Sequence, residues 1–280
     1  MPEGDTIFRA AATLDRALRG QRVTRFETAF PQLARVHDQA PITARVIEAV
    51  TSRGKHLLMA FSGDLILRTH MRMHGSWHIY RPGERWQRSR RDMRIVVGTE
   101  AFEAVAFSVP VAEFRTTAGV ARDPVIASLG PDLLDPAFDE QQAIERLRAR
   151  AEVPIADALL DQRALAGIGN VFKSEVCFAA AVHPDTPVGR LADEALERIV
   201  RTARAQLRAN APSADRTSWI RGRRTTRWAN PAASLWVYGR VGRPCRRCGA
   251  AILMSKAGGD ARLTYWCPEC QPWGATGFQA

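Results

Sequence analysis

Four cysteines near the C-terminus restrict the fold of this chain more than any other feature of its sequence. Two residues separate Cys245 from Cys248, two separate Cys267 from Cys270, and 18 residues lie between the pairs. This spacing is typical of a zinc ribbon, in which four thiolates bind one structural Zn(II) ion at about 2.3 Å. Because no secretion signal is evident, we expect a reducing compartment in which disulfides are disfavoured. The sequence therefore predicts a C-terminal zinc ribbon.

The positive charge of the chain is concentrated around this ribbon. The formal net charge is +11, and residues 201–280 account for all of it, with 14 basic and three acidic side chains. Thirteen of the 14 are arginine, whose planar guanidinium group matches phosphate well. This asymmetry predicts a polyanionic partner, most simply nucleic acid, with an arginine-rich solvated face as the alternative. No apolar run approaches the roughly 18 residues of a membrane span, so we expect a cytoplasmic protein, nucleoid-associated in a bacterium.

Hydrophobic periodicity predicts an α+β chain of two domains. Thr6–Leu18 has helical spacing, with Asp5 or Thr6 as the cap. Between residues 21 and 117 the chain has β-rich runs, which we interpret as a β-sandwich or barrel of roughly eight short strands. The runs are Ala44–Val50, His56–Phe61, Leu65–Thr69, Ser76–Tyr80, Met93–Val97 and Ala104–Val111. Residues 138–209 are strongly helical, with breaks at Pro154, at two glycines near 168 and at Pro184.

These patterns predict the domain boundaries. The N-terminal helix and β-sandwich form a domain over residues 1–122, and a proline-containing linker follows at 123–136. A helical domain covers 137–234, and the zinc ribbon covers 235–280.

The segment 159–170 predicts two helices that are joined by a glycine turn. A helix that begins at Pro154 would end near Ala164, and the next would begin at Asn170, a favoured N-cap residue. The exposed N–H groups at such a helix start bind phosphate well. A dinucleotide-binding loop is excluded because Phe172 replaces the third glycine and no strand precedes the turn. An ordinary helical hairpin in a core is the alternative.

The N-terminus offers a nucleophile. Removal of Met1 would leave Pro2 with a free secondary amine, and an α-amino group has a pKa of roughly 7.7–8, against about 10.4 for lysine. Such an amine can attack an aldehydic sugar carbon and form an iminium, while Glu3 moves protons. Many chains begin in this way without any chemistry, which is the alternative.

Five features occur in order along the chain and become specific in combination. They are Pro2-Glu3-Gly4, Arg53-Gly54-Lys55, Leu160-Asp161-Gln162 with Gly167-Ile168-Gly169-Asn170, Val237-Tyr238-Gly239-Arg240, and Arg262-Leu263-Thr264-Tyr265-Trp266 before the second cysteine pair. Together they resemble the formamidopyrimidine-DNA glycosylase / endonuclease VIII family, which excises oxidised bases from DNA. The resemblance runs nearly end to end, and it implies that the glycine turn belongs to a helix–two-turn–helix.

The resemblance implies a role for each matching residue. Pro2 is expected to be the nucleophile that displaces the base from C1′ of deoxyribose, and Glu3 the general acid/base. Lys55 is expected to contact the phosphates at the lesion. Asn170 and Arg262 are expected to hold the DNA backbone on both sides of the extruded nucleotide.

The segment His70–Gly75 resembles the turn with which the family fills the gap that an extruded base leaves. We expect Arg72, Met73 and His74 to act there, with Met73 as the apolar wedge. One of the two methionines in this segment is expected to belong to the core. Its two histidines are four residues apart, but the strand-like pattern argues against a helical metal site.

The start of the chain also bears on lesion choice. Pro2-Glu3-Gly4 resembles the endonuclease VIII branch, whose substrates are oxidised pyrimidines such as thymine glycol and dihydrouracil. Asp5-Thr6 differs from the Pro-Glu that is usual in both branches. Trp219–Ala229 lies where the purine branch has its lesion-capping loop, and its arginines at 221, 223, 224 and 227 are predicted phosphate ligands. A purine-lesion enzyme is the alternative.

Four residues with reactive or stacking side chains receive no functional role. Cys177 lies in an apolar helical stretch and is expected to be a buried core residue. Trp77, Trp228 and Trp236 are assigned nothing, because large aromatic residues more often belong to the core.

The predicted function is that of a bifunctional DNA glycosylase/AP lyase that removes oxidised bases and cuts the strand by β- and δ-elimination. We expect a monomer that binds damaged DNA and one structural zinc ion, with no small-molecule cofactor and no membrane association. The alternative from another class is a DNA-binding protein that recognises lesions or ends without cutting. Pro2, Glu3 and Lys55 are needed by the enzyme alone.

Overall fold

The chain divides into two compact units, Met1–Ser128 and Leu129–Ala280. A computed structural model describes residues 2–211, 223–257 and 262–274. The division falls inside the segment predicted as a linker, which contains one short helix. None of the helices in the described ranges has the length and apolar character that a membrane crossing needs.

Helix α1 of the first unit spans Gly4–Leu18 and begins two residues before the predicted start. The carbonyl of Glu3 accepts the N–H groups of Thr6 and Ile7 at 2.9 and 3.1 Å. Glu3 is therefore the N-cap, and the predicted caps Asp5 and Thr6 lie inside the helix. The buried apolar stripe of α1 consists of Ile7, Ala11, Leu14 and Leu18.

Eight strands lie in the first unit, for which the sequence predicted roughly eight. They are β1 (Arg25–Thr28), β2 (Ile47–Arg53), β3 (His56–Phe61), β4 (Leu65–His70), β5 (Ser76–Tyr80), β6 (Met93–Gly98), β7 (Glu103–Phe107) and β8 (Val111–Arg115). They form two antiparallel four-stranded sheets, in the orders β1-β6-β7-β5 and β2-β3-β4-β8. Both sheets contribute to one core, so the predicted β-sandwich is confirmed.

Two parts of the first unit differ from the prediction. The run Ala104–Val111 covers most of β7 and only the first residue of β8, because Ser108 between the two strands has a φ of 50° and turns the chain. Helix α2 spans Pro31–Gln39 and was missed. Pro31 suits the first turn of a helix, but Leu33 is the single buried residue of α2, so the apolar period is too weak to detect.

Six further α-helices follow within the described residues. They are α3 (Thr117–Ala121), α4 (Pro124–Ala127), α5 (Glu140–Arg148), α6 (Ile155–Leu160), α7 (Asn170–Ala179) and α8 (Asp193–Asn210). The breaks in the second unit lie where the sequence predicted them, except that α6 ends at Leu160 rather than near Ala164. Asp161 leaves the helix with φ −70° and ψ 105°, and its carboxylate accepts the N–H of Arg163 at 2.9 Å.

The ribbon contains strands β9 (Leu253–Ala257) and β10 (Arg262–Trp266), which pair antiparallel between the two cysteine pairs. Glu175 of α7 holds the segment that leads into it. The buried carboxylate accepts the N–H groups of Trp236, Val237 and Tyr238 at 2.8, 2.9 and 2.8 Å. It also accepts the hydroxyl of Thr225.

Glu175→Gln is expected to lower the free energy of unfolding by about 2–4 kcal/mol, because an amide nitrogen replaces one acceptor oxygen and leaves buried donors unpaired. Urea unfolding followed by circular dichroism measures the change. The matched control Glu152→Gln alters an exposed carboxylate of the same unit and should shift stability by no more than about 0.5 kcal/mol. Equal stability of the two variants would contradict the anchoring role of Glu175.

Candidate active site and nucleic-acid interface

Pro2 and Glu3 lie at the N-terminal end of α1. Pro2 is half-buried, and Glu3 is fully buried. Carboxylates are seldom fully buried, and the side chain of Glu3 makes no cap hydrogen bond to the helix. The carboxylate is thus held in a low-dielectric place next to the residue whose amine is the candidate nucleophile.

Lys55 lies in the two-residue turn between β2 and β3. Arg53 pairs with His56 across this hairpin, and Gly54 has a φ of 57°. A type II′ turn requires this left-handed conformation at its first central position, where glycine is favoured. The sequence Arg53-Gly54-Lys55 therefore presents Lys55 at the tip of a tight and rigid turn.

Residues 71–75 connect the two sheets, and we call them the wedge turn. Met71 is buried in the core, whereas Met73 is 59% exposed, so one methionine belongs to the core as expected. Arg72 adopts a left-handed conformation with a φ of 50°. A Cβ atom on Gly75 would lie 2.5 Å from the carbonyl oxygen of Met71. Only glycine fits there, and the turn holds Met73 away from the core.

The structure brings Lys55 and the wedge turn to the same end of one sheet. His56, which follows Lys55, pairs with His70, which precedes the wedge turn, and their rings are 4.8 Å apart. Burial and neighbouring positive charges lower the pKa of His56 to about 3 and that of His70 to about 4. Both rings are neutral near pH 7, and the Nδ1 atom of His70 accepts the N–H of Arg72 at 3.1 Å.

Gln162 holds the turn between α6 and α7. Its side-chain amide donates to the carbonyls of Leu160 and Ile168 at 2.8 and 3.0 Å, and its oxygen accepts the N–H of Gly167 at 3.0 Å. The N-cap of α7 is Gly169, so the prediction that Asn170 caps this helix is wrong. Asn170 is instead the first helical residue.

Helix α7 packs against β10, and Arg262 at the start of β10 lies near Lys173 of the helix. The N–H of Tyr265 donates to the hydroxyl of Ser174 at 3.3 Å. Lys173 of α7 is fully buried. Burial lowers the pKa of Lys173, and the positive charge of Arg262 lowers it further, although nearby carboxylates oppose both effects. The positive groups of Lys173 and Arg262 thus lie near each other, with the carboxylates of Asp157 and Asp185 close by.

Lys173 was not among the predicted site residues. Within the described ranges, neither its Nζ atom nor the Oδ1 atom of Asn170 has a hydrogen-bond partner. Buried polar groups are nearly always paired in native proteins, so a ligand with both donor and acceptor capacity, or a phosphate with its bound water, suits this place. The sequence contained a clue, since Lys173 is one of only three lysines and interrupts an apolar helix.

The four ribbon cysteines form a cluster whose sulfur atoms all lie within 4.8 Å of one another. The Sγ atoms of Cys248 and Cys267 are 3.4 Å apart, and those of Cys245 and Cys270 are 3.9 Å apart. These distances exceed the roughly 2.05 Å of a disulfide and suit the edges of a tetrahedral thiolate site. Burial by itself would raise the pKa of the Cys245 thiol. Hydrogen bonds from the backbone N–H groups of Arg247 and Cys248 together have a larger effect and lower this pKa to about 7.

The other residues that the sequence singled out have varied positions. Cys177 is buried, and burial raises its pKa to about 12, which confirms a core cysteine. Trp77 is buried and Trp236 is half-buried, whereas Trp228 is 42% exposed.

Among the predicted phosphate ligands, Arg224 donates to the carbonyl of Ala229 at 3.1 Å. The guanidinium of Arg223 lies over the ring of Phe172, and Arg227 is exposed. Trp219–Gly222, with Arg221, lies outside the described residues.

Comparisons with known proteins assign the two units of this chain to one class, that of the helix–two-turn–helix glycosylases. Residues 1–109 match the family model described as "Formamidopyrimidine-DNA glycosylase N-terminal domain". Residues 129–218 match the one described as "Formamidopyrimidine-DNA glycosylase H2TH domain". The chain belongs to the formamidopyrimidine-DNA glycosylase family, as the sequence motifs predicted.

Relatives of this chain carry endonuclease and lyase names. "Probable endonuclease 8 2" of Streptomyces coelicolor is 41% identical over 289 aligned positions, which cover 100% of this chain and 99% of that protein. "DNA-(apurinic or apyrimidinic site) lyase Nei2" of Mycolicibacterium smegmatis is 41% identical over 271 positions, which cover 97% of this chain and 99% of that protein. Both align with nearly the whole length of the chain.

A solved structure confirms the fold. Lactococcus lactis Fpg in complex with DNA that contains an abasic site has a TM-score of 0.78 and 24% identity, over 97% of this chain and 100% of that one. The predicted α+β architecture of two domains is therefore correct.

Proposed function

We propose that this chain is a bifunctional DNA glycosylase/AP lyase that removes oxidised bases in base excision repair. One observation carries the proposal: the candidate amine of Pro2 and the fully buried carboxylate of Glu3 lie together at the start of α1. The chain that contains this pair belongs to a family in which its relatives are named endonuclease 8 and AP lyase. A protein that only binds DNA has no need of this amine and acid.

In the proposed reaction, the secondary amine of Pro2 attacks C1′ of the damaged nucleotide. The bond from C1′ to the base breaks, and the base leaves with the bonding electron pair. Glu3 protonates the sugar ring oxygen or the departing base. The nitrogen lone pair of Pro2 then expels the ring oxygen from C1′, and this oxygen takes up a proton as the sugar opens. The iminium that results acidifies the C2′ proton, whose loss expels the 3′ phosphate, and loss of the C4′ proton then expels the 5′ phosphate. This chemistry requires removal of Met1, which the intact mass of the protein tests.

Lys55 and the wedge turn support base extrusion in this proposal. Lys55 contacts the phosphates at the lesion, and Met73 enters the gap in the base stack between Arg72 and His74. Extrusion costs a few kcal/mol and costs least for a damaged, poorly paired base. The exposure of Met73 and the shared sheet end of Lys55 and the wedge turn support these roles.

Asn170 and Arg262 hold the DNA backbone, and Lys173 adds a second positive group to that of Arg262. Arg262→Ala is expected to weaken binding to a duplex with an abasic-site analogue and to lower the slope of log K against log salt by about 0.9. Fluorescence anisotropy over a range of salt concentrations measures this slope. The control Arg190→Ala removes an exposed arginine outside the proposed interface. If both variants lose the same slope, Arg262 makes no specific phosphate contact.

We also infer that the four ribbon cysteines bind one zinc ion. Four thiolates in a tetrahedral cluster are the donor set of structural zinc sites, and the sulfur distances suit such a site. Zinc supplies no catalytic step here. It stabilises the hairpin whose second strand begins with Arg262.

Oxidised pyrimidines are the proposed substrates, because Pro2-Glu3-Gly4 resembles the endonuclease VIII branch and the relatives carry that name. The test is borohydride trapping on duplexes that contain dihydrouracil, 8-oxoguanine or an abasic site. An adduct with dihydrouracil is the expected result, whereas an adduct with 8-oxoguanine alone would favour purine lesions. Trapping at the abasic site alone would identify a lyase with an unknown base. No adduct, from protein shown to lack Met1 and to contain zinc, would favour the non-enzymatic DNA-binding protein.

We expect a monomer because one chain contains every residue that the proposed reaction uses, and this expectation stays a prediction. The absence of a small-molecule cofactor and the cytoplasmic location also stay predictions.

A further inference from the structure

A row of polar side chains runs along β5 toward the wedge turn, and the proposed reaction does not use it. Ser76, His78 and Tyr80 alternate along the strand and so share one face. The Ser76 hydroxyl lies 3.0 Å from Nε2 of His78, and Nδ1 of His78 lies 3.0 Å from the Tyr80 hydroxyl. The Tyr80 oxygen accepts the N–H of Gln87 at 3.1 Å. Four groups are thus linked in series.

One assignment of protons satisfies every contact in this row. If Tyr80 accepts from Gln87, its own proton can be donated to Nδ1 of His78. The His78 ring is then neutral, and its Nε2 proton is donated to the oxygen of Ser76. Burial and the nearby charge of Arg88 lower the pKa of His78, which agrees with a neutral ring.

Arg88 connects this row to the wedge turn. Its Nη1 atom donates to the carbonyl of His74 at 3.2 Å and to the hydroxyl of Ser76 at 3.1 Å. Its Nη2 atom lies 4.0 Å from the carboxylate of Asp92, and its guanidinium lies 5.9 Å from the ring centroid of Phe107. A planar guanidinium can make these contacts at the same time, which an ammonium group cannot.

The register of the strands explains why these partners converge. Ser76 at the start of β5 and Met93 at the start of β6 both pair with Phe107 at the end of β7. The short helical turn Arg90–Asp92 precedes Met93 directly, so it lies at the sheet end where the wedge turn enters β5. Arg88 therefore bonds to groups on both sides of Gly75, the last residue of the wedge turn.

We infer that Arg88 is a positioning residue that holds the wedge turn in the shape in which Met73 enters the base stack. The inference rests on the proposed function. Met73 is 59% exposed, so its own side chain has few contacts that could fix the turn. The bond from Arg88 to the carbonyl of His74 fixes the backbone next to the wedge, and the row along β5 orients the hydroxyl that Arg88 also binds.

Arg88→Ala tests this inference on two substrates. A duplex with an abasic site requires the wedge, whereas a single strand with an abasic site has no stack to open. We expect the single-turnover rate of borohydride trapping to fall roughly ten- to a hundredfold on the duplex, since a misplacement of about 1 Å can cost a hundredfold. The rate on the single strand should not change. Arg88→Lys should recover part of the duplex rate.

Two further variants separate positioning from other effects. Met73→Ala removes the wedge itself, so Arg88→Ala should cause no additional loss in a Met73→Ala background. Fluorescence of 2-aminopurine next to the abasic site should report the lost insertion in both single variants. Arg85→Ala removes an equal charge from an exposed arginine in the same segment and should match the wild type.

The outcomes differ for the inference and for the proposed function. Equal slowing on both substrates, or additive losses in the double variant, would overturn the role of Arg88. If the wild-type protein forms no adduct with the duplex and none with the single strand, the proposed function is overturned instead. If Arg88→Ala does not fold, Ser76→Ala removes one acceptor of Arg88 and should give a smaller loss that is again confined to the duplex.

Discussion

Replacement of Glu3 with glutamine is expected to lower the single-turnover rate of base excision by about a hundred- to ten-thousandfold, the usual contribution of general acid/base catalysis. Glutamine keeps the size of the side chain but cannot supply a proton. Because Glu3 is fully buried, bulk water cannot readily replace it as the proton source. Excision from a dihydrouracil duplex, with borohydride trapping in parallel, measures the loss. Pro2→Gly keeps an α-amine but changes it from secondary to primary, so it should trap more weakly than the wild type.

Binding separates this catalytic defect from a recognition defect. Glu3→Gln should bind a duplex with an abasic-site analogue as tightly as the wild type does, because Glu3 has no proposed phosphate contact. Glu48→Gln, which alters an exposed carboxylate of the same unit, should leave excision unchanged. Full excision by Glu3→Gln would exclude Glu3 as the acid/base and would remove the main support for the proposed enzyme.

Removal of the ribbon metal by a chelator under reducing conditions is expected to reduce DNA binding to the non-specific level, with a Kd of roughly 10⁻⁴–10⁻⁶ M. Structural zinc in small ribbons contributes about 10–16 kcal/mol near neutral pH, so the hairpin should not keep its shape without the ion. Arg262 begins the second strand of that hairpin and would lose its place beside α7. Since the ligands must be thiolates, acid should also weaken metal retention.

Metal content and fluorescence anisotropy, measured on the same samples, test this expectation. One zinc ion per chain should be present before chelation, and Cys267→Ser should lose both the metal and the binding. Cys177→Ala is the matched control, since Cys177 is a buried core residue outside the cluster. It should keep the metal and lose only about 1 kcal/mol of stability. Specific DNA binding by the metal-free protein would show that the hairpin forms without zinc.

Local patterns predicted the elements of this fold well where the pattern is strong. Strands β2 to β7 and the helix breaks of the second unit follow from alternation, helical spacing and the turn residues, whereas β1 and most of β8 lie outside the predicted runs. The prediction was wrong at element ends, because the first helical residue depends on where the backbone adopts helical dihedral angles. Glu3 is the N-cap of α1, and Asn170 is the first residue of α7 rather than its cap. Neither choice is visible in the composition of the segment.

The sequence by itself determined which chemistry is available: an amine and a carboxylate at the start of the chain, a lysine in a tight turn, and four thiols with ribbon spacing. These depend on residue type and short-range spacing, which the sequence states directly. Only the tertiary structure decided that Met73 rather than Met71 is exposed, that Lys173 is buried near Arg262, and that Arg88 reaches the wedge turn. Burial and strand register arise from contacts between residues far apart in the chain, and no local pattern contains them.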